Sequence, residues 1–210
     1  MNFDKKFEIC SSAEEFLKEQ ISSVKNEKKD AQRLRVFDFD DTLVITDARV
    51  TVTDSLGVKK FLTASELNVY EKQENDAFDY AEFKQLMNPR AISWMCKIMK
   101  YVYHKHGCES LVVLSARVSP EPIIQFLSSI GVFGVEVKAL NNACSELKAA
   151  AVDNWISTRQ LNYVEFFDDS RKNIEHISTL ALKHKNVQIV THHLVHNHDY
   201  SESVIRSSRL

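Results

Sequence analysis

Three carboxylates fall within four positions, at Asp38, Asp40 and Asp41, in the stretch RVFDFDDTL (35–43), directly after a run of strand-forming residues. Like charges at that spacing repel and raise one another's proton affinity unless a cation lies between them. Asp-rich segments also make turns and helix caps, which is the bland account of such a stretch. Three later segments argue for chemistry instead. An unbroken apolar run, LVVLS (111–115), ends in Ser115, Lys148 stands at the start of a helical stretch, and YVEFFDD (163–169) ends in the pair Asp168–Asp169.

These residues matter together only if the chain brings them together. Leu34–Phe39 reads as a buried strand ending in the acidic turn, and 111–115, 135–140, 163–167 and 187–191 read as four more strands. Helices are predicted between them. Pro89 opens one over 90–106 that Gly107 closes, Pro120 and Pro122 begin another that Gly131 ends, and 144–158 and 170–184 supply two more. Alternation at this spacing predicts a Rossmann-like three-layer α/β/α fold with a five-stranded parallel sheet and right-handed crossovers.

In such sheets functional residues collect at the carboxyl ends of the strands. Asp38, Asp40, Ser115, Asp168 and Asp169 all sit at those ends, and Lys148 begins the helix before the last pair. Two acidic clusters converging on one crevice call for a cation, and an all-oxygen ligand set suits Mg²⁺. A hydroxyl and an ammonium aimed at the same place suit a phosphoryl group. With a carboxylate nucleophile, this is a working set for phosphoryl transfer through an aspartyl-phosphate.

RVFDFDDTL resembles motif I of the haloacid dehalogenase (HAD) superfamily, an apolar strand followed by DxDxT. LVVLSAR resembles motif II, Lys148 falls where motif III has its lysine, and VEFFDDS resembles the DD form of motif IV, with order and spacing agreeing over 34–192. Through ARVTV, FDYAEFKQLMNP and SARVSPEPI the chain is also similar to small HAD-type proteins of tailed phages, sometimes grouped with "Swiss army knife" RNA-repair-like domains.

The resemblance implies that Asp38 attacks phosphorus and that Asp40 protonates the leaving oxygen and later deprotonates water. It implies Mg²⁺ held by Asp38 and Asp169, with the Asp40 backbone carbonyl and Asp168 assisting. Ser115 and Lys148 would hold phosphoryl oxygens, and Thr42 would order the loop beside the substrate. Asp41 stands where many members have Gly. Lys138 is the alternative to Lys148. Arg117, two residues after Ser115, either touches substrate or forms a surface salt bridge, and Arg171 or Lys172 could neutralise the acidic pair.

Residues 1–33 read as an N-terminal helix (11–25, opened by a capping-box pattern at Ser11-Ser12-Ala13-Glu14) and a polar connector. Residues 34–192 form the HAD-like domain, with a small cap at about 44–88, and 193–210 a loose tail. The cap begins with a hairpin over 48–63 around a turn at Asp54–Gly57. The rest of it is too short for a full helical lid, so the crevice should stay open. Arg49, Lys59 and Lys60 on the flap could meet backbone phosphates.

The net charge of −2 gives no basic field for extended duplex DNA. It leaves a phosphorylated small molecule, a nucleotide or a nucleic-acid end as partner. The four cysteines (Cys10, Cys96, Cys108, Cys144) form no CxxC pair and read as free thiols. No stretch approaches membrane-spanning length, so a soluble, cytoplasmic protein is expected, in the host cytoplasm if phage-encoded. THHLVHNH, with His192, His193, His196 and His198, lacks the Cys or carboxylate partners of a metal site and reads as polar tail.

The residues are read as those of a Mg²⁺-dependent phosphomonoesterase of a nucleotide or nucleic-acid end. A sugar-phosphate phosphatase and a non-catalytic HAD-fold binding protein remain alternatives. A receiver-type signalling domain fits poorly, because its lysine would follow rather than precede the second acidic pair.

Overall fold

The computed structural model describes residues 8–10, 12–28, 32–197 and 200–210, with the side chains of 8–10 and 68 outside that description, so His198, Ser11 and the Cys10 thiol lie beyond it. In chain order the elements are β1 (Glu8–Cys10), α1 (Ala13–Asn26), β2 (Arg33–Phe37), β3 (Val44–Ile45), β4 (Val50–Thr53), β5 (Lys59–Leu62), α2 (Ala64–Val69), β6 (Ala77–Asp79) and β7 (Arg90–Ala91). There follow α3 (Ser93–His106), β8 (Leu111–Ser115), α4 (Glu121–Ser129), β9 (Glu136–Ala139), α5 (Ser145–Thr158), β10 (Tyr163–Asp168), α6 (Arg171–Lys183), β11 (Gln188–His196) and β12 (Ser203–Arg209). No described helix is long and apolar enough to cross a membrane.

The fold is α/β, with one mostly parallel sheet in the order β1-β12-β11-β10-β2-β8-β9. Five of these strands, β11 through β9, run parallel to their neighbours. The expected five-stranded sheet is therefore extended to seven, because β12 and β1 add antiparallel at one edge. Successive side chains of a strand point to opposite faces, and the core divides accordingly. Phe37, Val113 and Phe167 pack with Phe16 and Val24 of α1, Met95 and Met99 of α3, and Ile123 and Phe126 of α4. Val36, Val112 and Phe166 pack with Val152 and Trp155 of α5 and Ile174 and Ile177 of α6.

The helix expected over 11–25 starts one turn-position later than its capping pattern suggested. Ser12 is the N-cap, and its hydroxyl accepts the Glu15 amide at 3.2 Å. The helix expected from residue 90 begins at Ser93, because Arg90 and Ala91 pair with β3 instead.

Charged residues enter the sheet interior where register lets them pair. Arg35 of β2 stands opposite Glu165 of β10, and Arg35 Nε donates to Glu165 Oε2 at 2.7 Å. His192 of β11 meets the other oxygen at 2.9 Å, and Glu27 accepts from Arg35 at 2.8 Å. Burial works against the Glu165 carboxylate, but Arg35 and His192 hold its carboxyl down at about 2.

The chain visits β2, β8 and β9 in one direction, then crosses back to place β10 and β11 on the other side of β2. The switch point thus lies between β2 and β10, where open α/β sheets form their crevice. Between β2 and α3 the chain builds the cap: a β3–β7 ribbon as its stem and a β5-β4-β6 sheet with α2 beside it. Ala48, Val50, Val52 and Phe83 give the cap its own small core. The expected hairpin is β4–β5, with Asp54 Oδ1 accepting the amides of Leu56 and Val58 at 2.9 Å and Gly57 at φ 81°.

Candidate active site

The acidic turn after β2 is bound to the neighbouring strand end. The Asp38 amide donates to Phe167 O at 2.9 Å, which brings Asp38 beside Asp168. Asp41 then takes φ 55°, in the left-handed region that glycine enters most freely and Asp tolerates.

Lys148 projects from the first turn of α5 into the gap. Its Nζ donates to Asp38 Oδ1 at 2.6 Å and to Asp168 Oδ2 at 2.8 Å, and all three side chains are buried. Lys138 instead lies 5.5 Å from the Trp155 ring, so geometry selects Lys148. Burial works against the Lys148 ammonium, yet Asp168 and Asp38 more than offset it and hold its proton above the ordinary lysine range.

The carboxylate oxygens of Asp38, Asp168 and Asp169 fall within 4.8 Å of one another. An octahedral Mg²⁺ with bonds of about 2.1 Å spaces its ligands by roughly 3–4 Å, so this all-oxygen cluster needs only a small contraction to hold one. The three do not stand equally. Each Asp168 oxygen already accepts two hydrogen bonds: Oδ1 from the Ser170 amide (2.8 Å) and Asn173 Nδ2 (2.9 Å), Oδ2 from Lys148 (2.8 Å) and Asn173 Nδ2 (3.0 Å). Asp168 is therefore first an anchor for Lys148, and the expected assisting ligand role is secondary to that.

Two features favour a cation here. Five carboxyl groups, Asp38, Asp40, Asp41, Asp168 and Asp169, crowd together here, with Lys148 paired to Asp38 and Asp168 and Arg117 paired to Asp40. The buried Asp41 Oδ2 also has no hydrogen-bond partner.

Arg117 differs most from expectation. It is 1% exposed, so it is no surface salt bridge. Its Nε and Nη2 grip both oxygens of Asp40 at 2.9 and 2.7 Å, Nη1 donates to the Phe83 and Gln85 carbonyls at 3.0 and 2.9 Å, and Nη2 also reaches Thr46 Oγ1 at 3.4 Å. A guanidinium has five N–H donors, and all five are engaged, which leaves none for substrate. Arg117 orients Asp40 and ties it to the cap.

Ser115 ends β8 with its hydroxyl accepting the Arg117 amide at 3.1 Å, and it lines a cavity of about 50 Å³ with Asp38, Asp40, Lys148, Asp169 and Asn173. Thr42 is fully buried, lines neither cavity described here, and has an unpartnered hydroxyl, so the structure does not bring it to substrate.

Ala64, Leu67 and Phe83 of the cap line this small cavity together with Asp38. Beside it, past Asp169, a cleft of about 1010 Å³ opens between the cap, the start of α6 and the end of β11. Arg49 and Lys172 line that cleft, while Lys59 and Lys60 do not. Arg171 pairs with Glu175 at 2.8 Å.

Asn173, His193, His196 and Tyr200 were missed as site residues. Asn173 lies five positions after Asp168, in the first turn of α6, a spacing from which it could have been found. The others belong to the segment read as tail, which continues β11 to His196 and returns as β12. No family model and no curated protein matches this sequence, so the site stands on its own geometry.

Burial first, and then neighbouring carboxylates, raise the proton affinity of the cluster. Asp38 is pushed up to about 8, with Lys148 opposing and Asp168 and Asp40 adding. Burial likewise pushes Asp41 to about 6, with Tyr200 opposing, and raises Asp169 well above the carboxylate range. Groups raised above their unfolded values stabilise the fold most when protonated. Their contribution is complete below about pH 4 and is lost as pH climbs through about 6 and 8.

A divalent cation held by the ionised cluster would offset this loss, so Mg²⁺ should then raise the melting temperature more at pH 8 than at pH 5.5. Each kcal/mol gained corresponds to about 2–4 °C for a chain of this size. Melting curves with Mg²⁺ and with chelator at both pH values check this, and an equal or larger Mg²⁺ effect at pH 5.5 would refute it.

Proposed function

We propose that this chain is a Mg²⁺-dependent phosphomonoesterase of the HAD type, working through an aspartyl-phosphate on Asp38. The observation that carries the reading is the convergence of Asp38, Lys148, Ser115 and the Asp168–Asp169 pair on one small polar cavity at the switch point of the sheet. Asp38 is the nucleophile. Lys148, anchored by Asp168, and the Ser115 hydroxyl hold equatorial phosphoryl oxygens, where charge accumulates during transfer. Asp40, its plane set by Arg117, stands at the same cavity to protonate the leaving oxygen and then to take a proton from the hydrolytic water. Asp38 and Asp169, with the Asp40 backbone carbonyl, would hold the metal, which neutralises phosphoryl charge when bound.

The small cavity suits a phosphoryl group, and the wide cleft past Asp169 suits what the phosphate is attached to. A cleft of about 1010 Å³ favours a nucleotide or the end of a nucleic acid over a sugar phosphate. Arg49 and Lys172 on its walls could meet further phosphates, among walls that also carry carboxylates such as Asp47, Glu71 and Glu175.

The test is hydrolysis of a nucleoside monophosphate, a 3′-phosphorylated oligonucleotide, a hexose phosphate and an aryl phosphate. Turnover is expected with Mg²⁺ and not with excess chelator. Ca²⁺ should inhibit, because its longer bonds and higher coordination number let it take both Asp38 oxygens. Full activity in chelator would remove the metal from the reading. A clear preference for the hexose phosphate would reverse the substrate assignment.

A further inference from the structure

The segment after Thr191 does something no polar tail can do. β10 ends at Asp168, which stands opposite His193 of β11, and β11 runs on to His196. Those last residues have no β10 partner, and β12 supports them instead, with Leu194 opposite Ile205, Val195 opposite Val204 and His196 opposite Ser203. The hairpin therefore projects past the sheet edge, alongside both acidic loops.

Each of three side chains at its far end closes on one of those loops. His193 Nε2 lies 3.0 Å from the Asp169 carbonyl and His196 Nε2 lies 2.7 Å from the Asp41 carbonyl. A carbonyl only accepts, so both imidazoles carry their proton on Nε2. The remaining nitrogen of His196 meets Ser203 Oγ at 2.7 Å, which lets the hydroxyl donate and fixes the tautomer. Tyr200 turns back at φ 59°, its ring 5.1 Å from that of His196, and its O–H donates to Asp41 Oδ1 at 2.8 Å.

We infer that the far end of the β11–β12 hairpin is a positioning element of the site, in which His193, His196 and Tyr200 hold the Asp38–Asp41 turn and the Asp168–Asp169 end at the separation a divalent cation needs. The metal part of this inference rests on the proposed function, while the ordering of the loops does not. Hydrogen bonds to the residues that carry metal ligands orient those ligands, and losing one typically costs about 10–100-fold in metal affinity or activity. Both loops leave the sheet at Asp38 and Asp168, and beyond those points the sheet ladder no longer supports them. The hairpin takes over that support through His193, His196 and Tyr200.

The test uses the full chain with His196→Ala, His196→Gln and Tyr200→Phe, read by amide hydrogen exchange without metal and by Mn²⁺ affinity. The amides of Asp41, Leu43, Val44 and Ser170 are bonded within the two loops and report on them. In His196→Ala they should exchange roughly two- to tenfold faster, the scale of one net hydrogen bond, while Val112 and Val113 in the sheet centre stay unchanged. Mn²⁺ binding should weaken by about 10–100-fold. Gln places a donor near the imidazole Nε2 position, so His196→Gln should restore both readouts.

Unchanged loop exchange in a folded His196→Ala protein overturns the inference. So does faster exchange that spreads to β8, or an unaltered Mn²⁺ affinity alongside loosened loops. If His196→Ala does not fold, Tyr200→Phe, which removes one O–H, carries the same two readouts. If the unsubstituted protein binds no Mn²⁺, the proposed metal function fails, and the exchange result alone decides the role of the hairpin.

Discussion

Asp38→Asn is expected to abolish phosphatase turnover while leaving the fold intact. The amide has no anionic oxygen to attack phosphorus, and removing a nucleophile costs on the order of 10⁶-fold in kcat where it has been measured. The structural cost is small for a physical reason. Asp38 is a buried carboxyl already pushed up to about 8, and Asn fills the same volume without the charge. Lys148 keeps its 2.8 Å bond to Asp168. Steady-state rates on the best substrate, set beside a thermal melt, separate the two effects. Wild-type rates would remove Asp38 as nucleophile, and a lost rate with a collapsed melting temperature would make the residue structural.

Arg117→Met should be the most destabilising single change in the site. It removes all five donors at once, leaving the Asp40 carboxylate and the Phe83 and Gln85 carbonyls without their partner in a largely buried place. Deleting one member of a buried ion pair typically costs about 3–5 kcal/mol. For a chain of this size that corresponds to roughly 6–20 °C in melting temperature. Arg117→Lys keeps the charge but offers three donors on a point-like ammonium, which cannot serve a bidentate carboxylate and two carbonyls together. It should fall between Met and wild type. Differential scanning calorimetry of the three proteins decides this, and a Met variant melting within about one degree of wild type, well short of the expected shift, would show that Arg117 does not hold the cap to Asp40.

The parts of this protein legible in the sequence are those that local chemistry dictates. The unbroken apolar run at 111–115 reads as a doubly covered strand, YVEFF at 163–167 keeps four large apolar or aromatic side chains around Glu165, and the Pro and Gly punctuation around 120–131 bounds α4 to within a residue or two. Carboxylates, a hydroxyl and a lysine at strand and helix ends announced a crevice, because parallel topology brings such ends together. Asp38, Ser115, Lys148, Asp168 and Asp169 do share one neighbourhood in the structure.

What local reading could not reach were residues whose roles depend on partners far along the chain. Arg117 looked like a substrate ligand or a surface charge, and only the return of the cap at Phe83 and Gln85 saturates its guanidinium. Thr42 follows the acidic residues directly, yet it lines neither the small cavity nor the wide cleft. The His-rich run has the composition of a polar tail, because half-buried strand histidines and solvated ones look alike in sequence. It becomes an ordered edge only when β12 pairs with it, and His196 meets Asp41 across 155 positions of chain.

The sequence by itself determined the alternating α/β order, the strand-end placement of the acidic residues and the size of the cap, since each follows from periodicity, turn chemistry and length. The tertiary structure alone decided which cation faces which carboxylate, that cap residues share the cavity of Asp38 while a wide cleft opens at Asp169, and that the last strands run beside the site. Those outcomes depend on register and on the approach of segments distant in the chain, and no short window of residues encodes either.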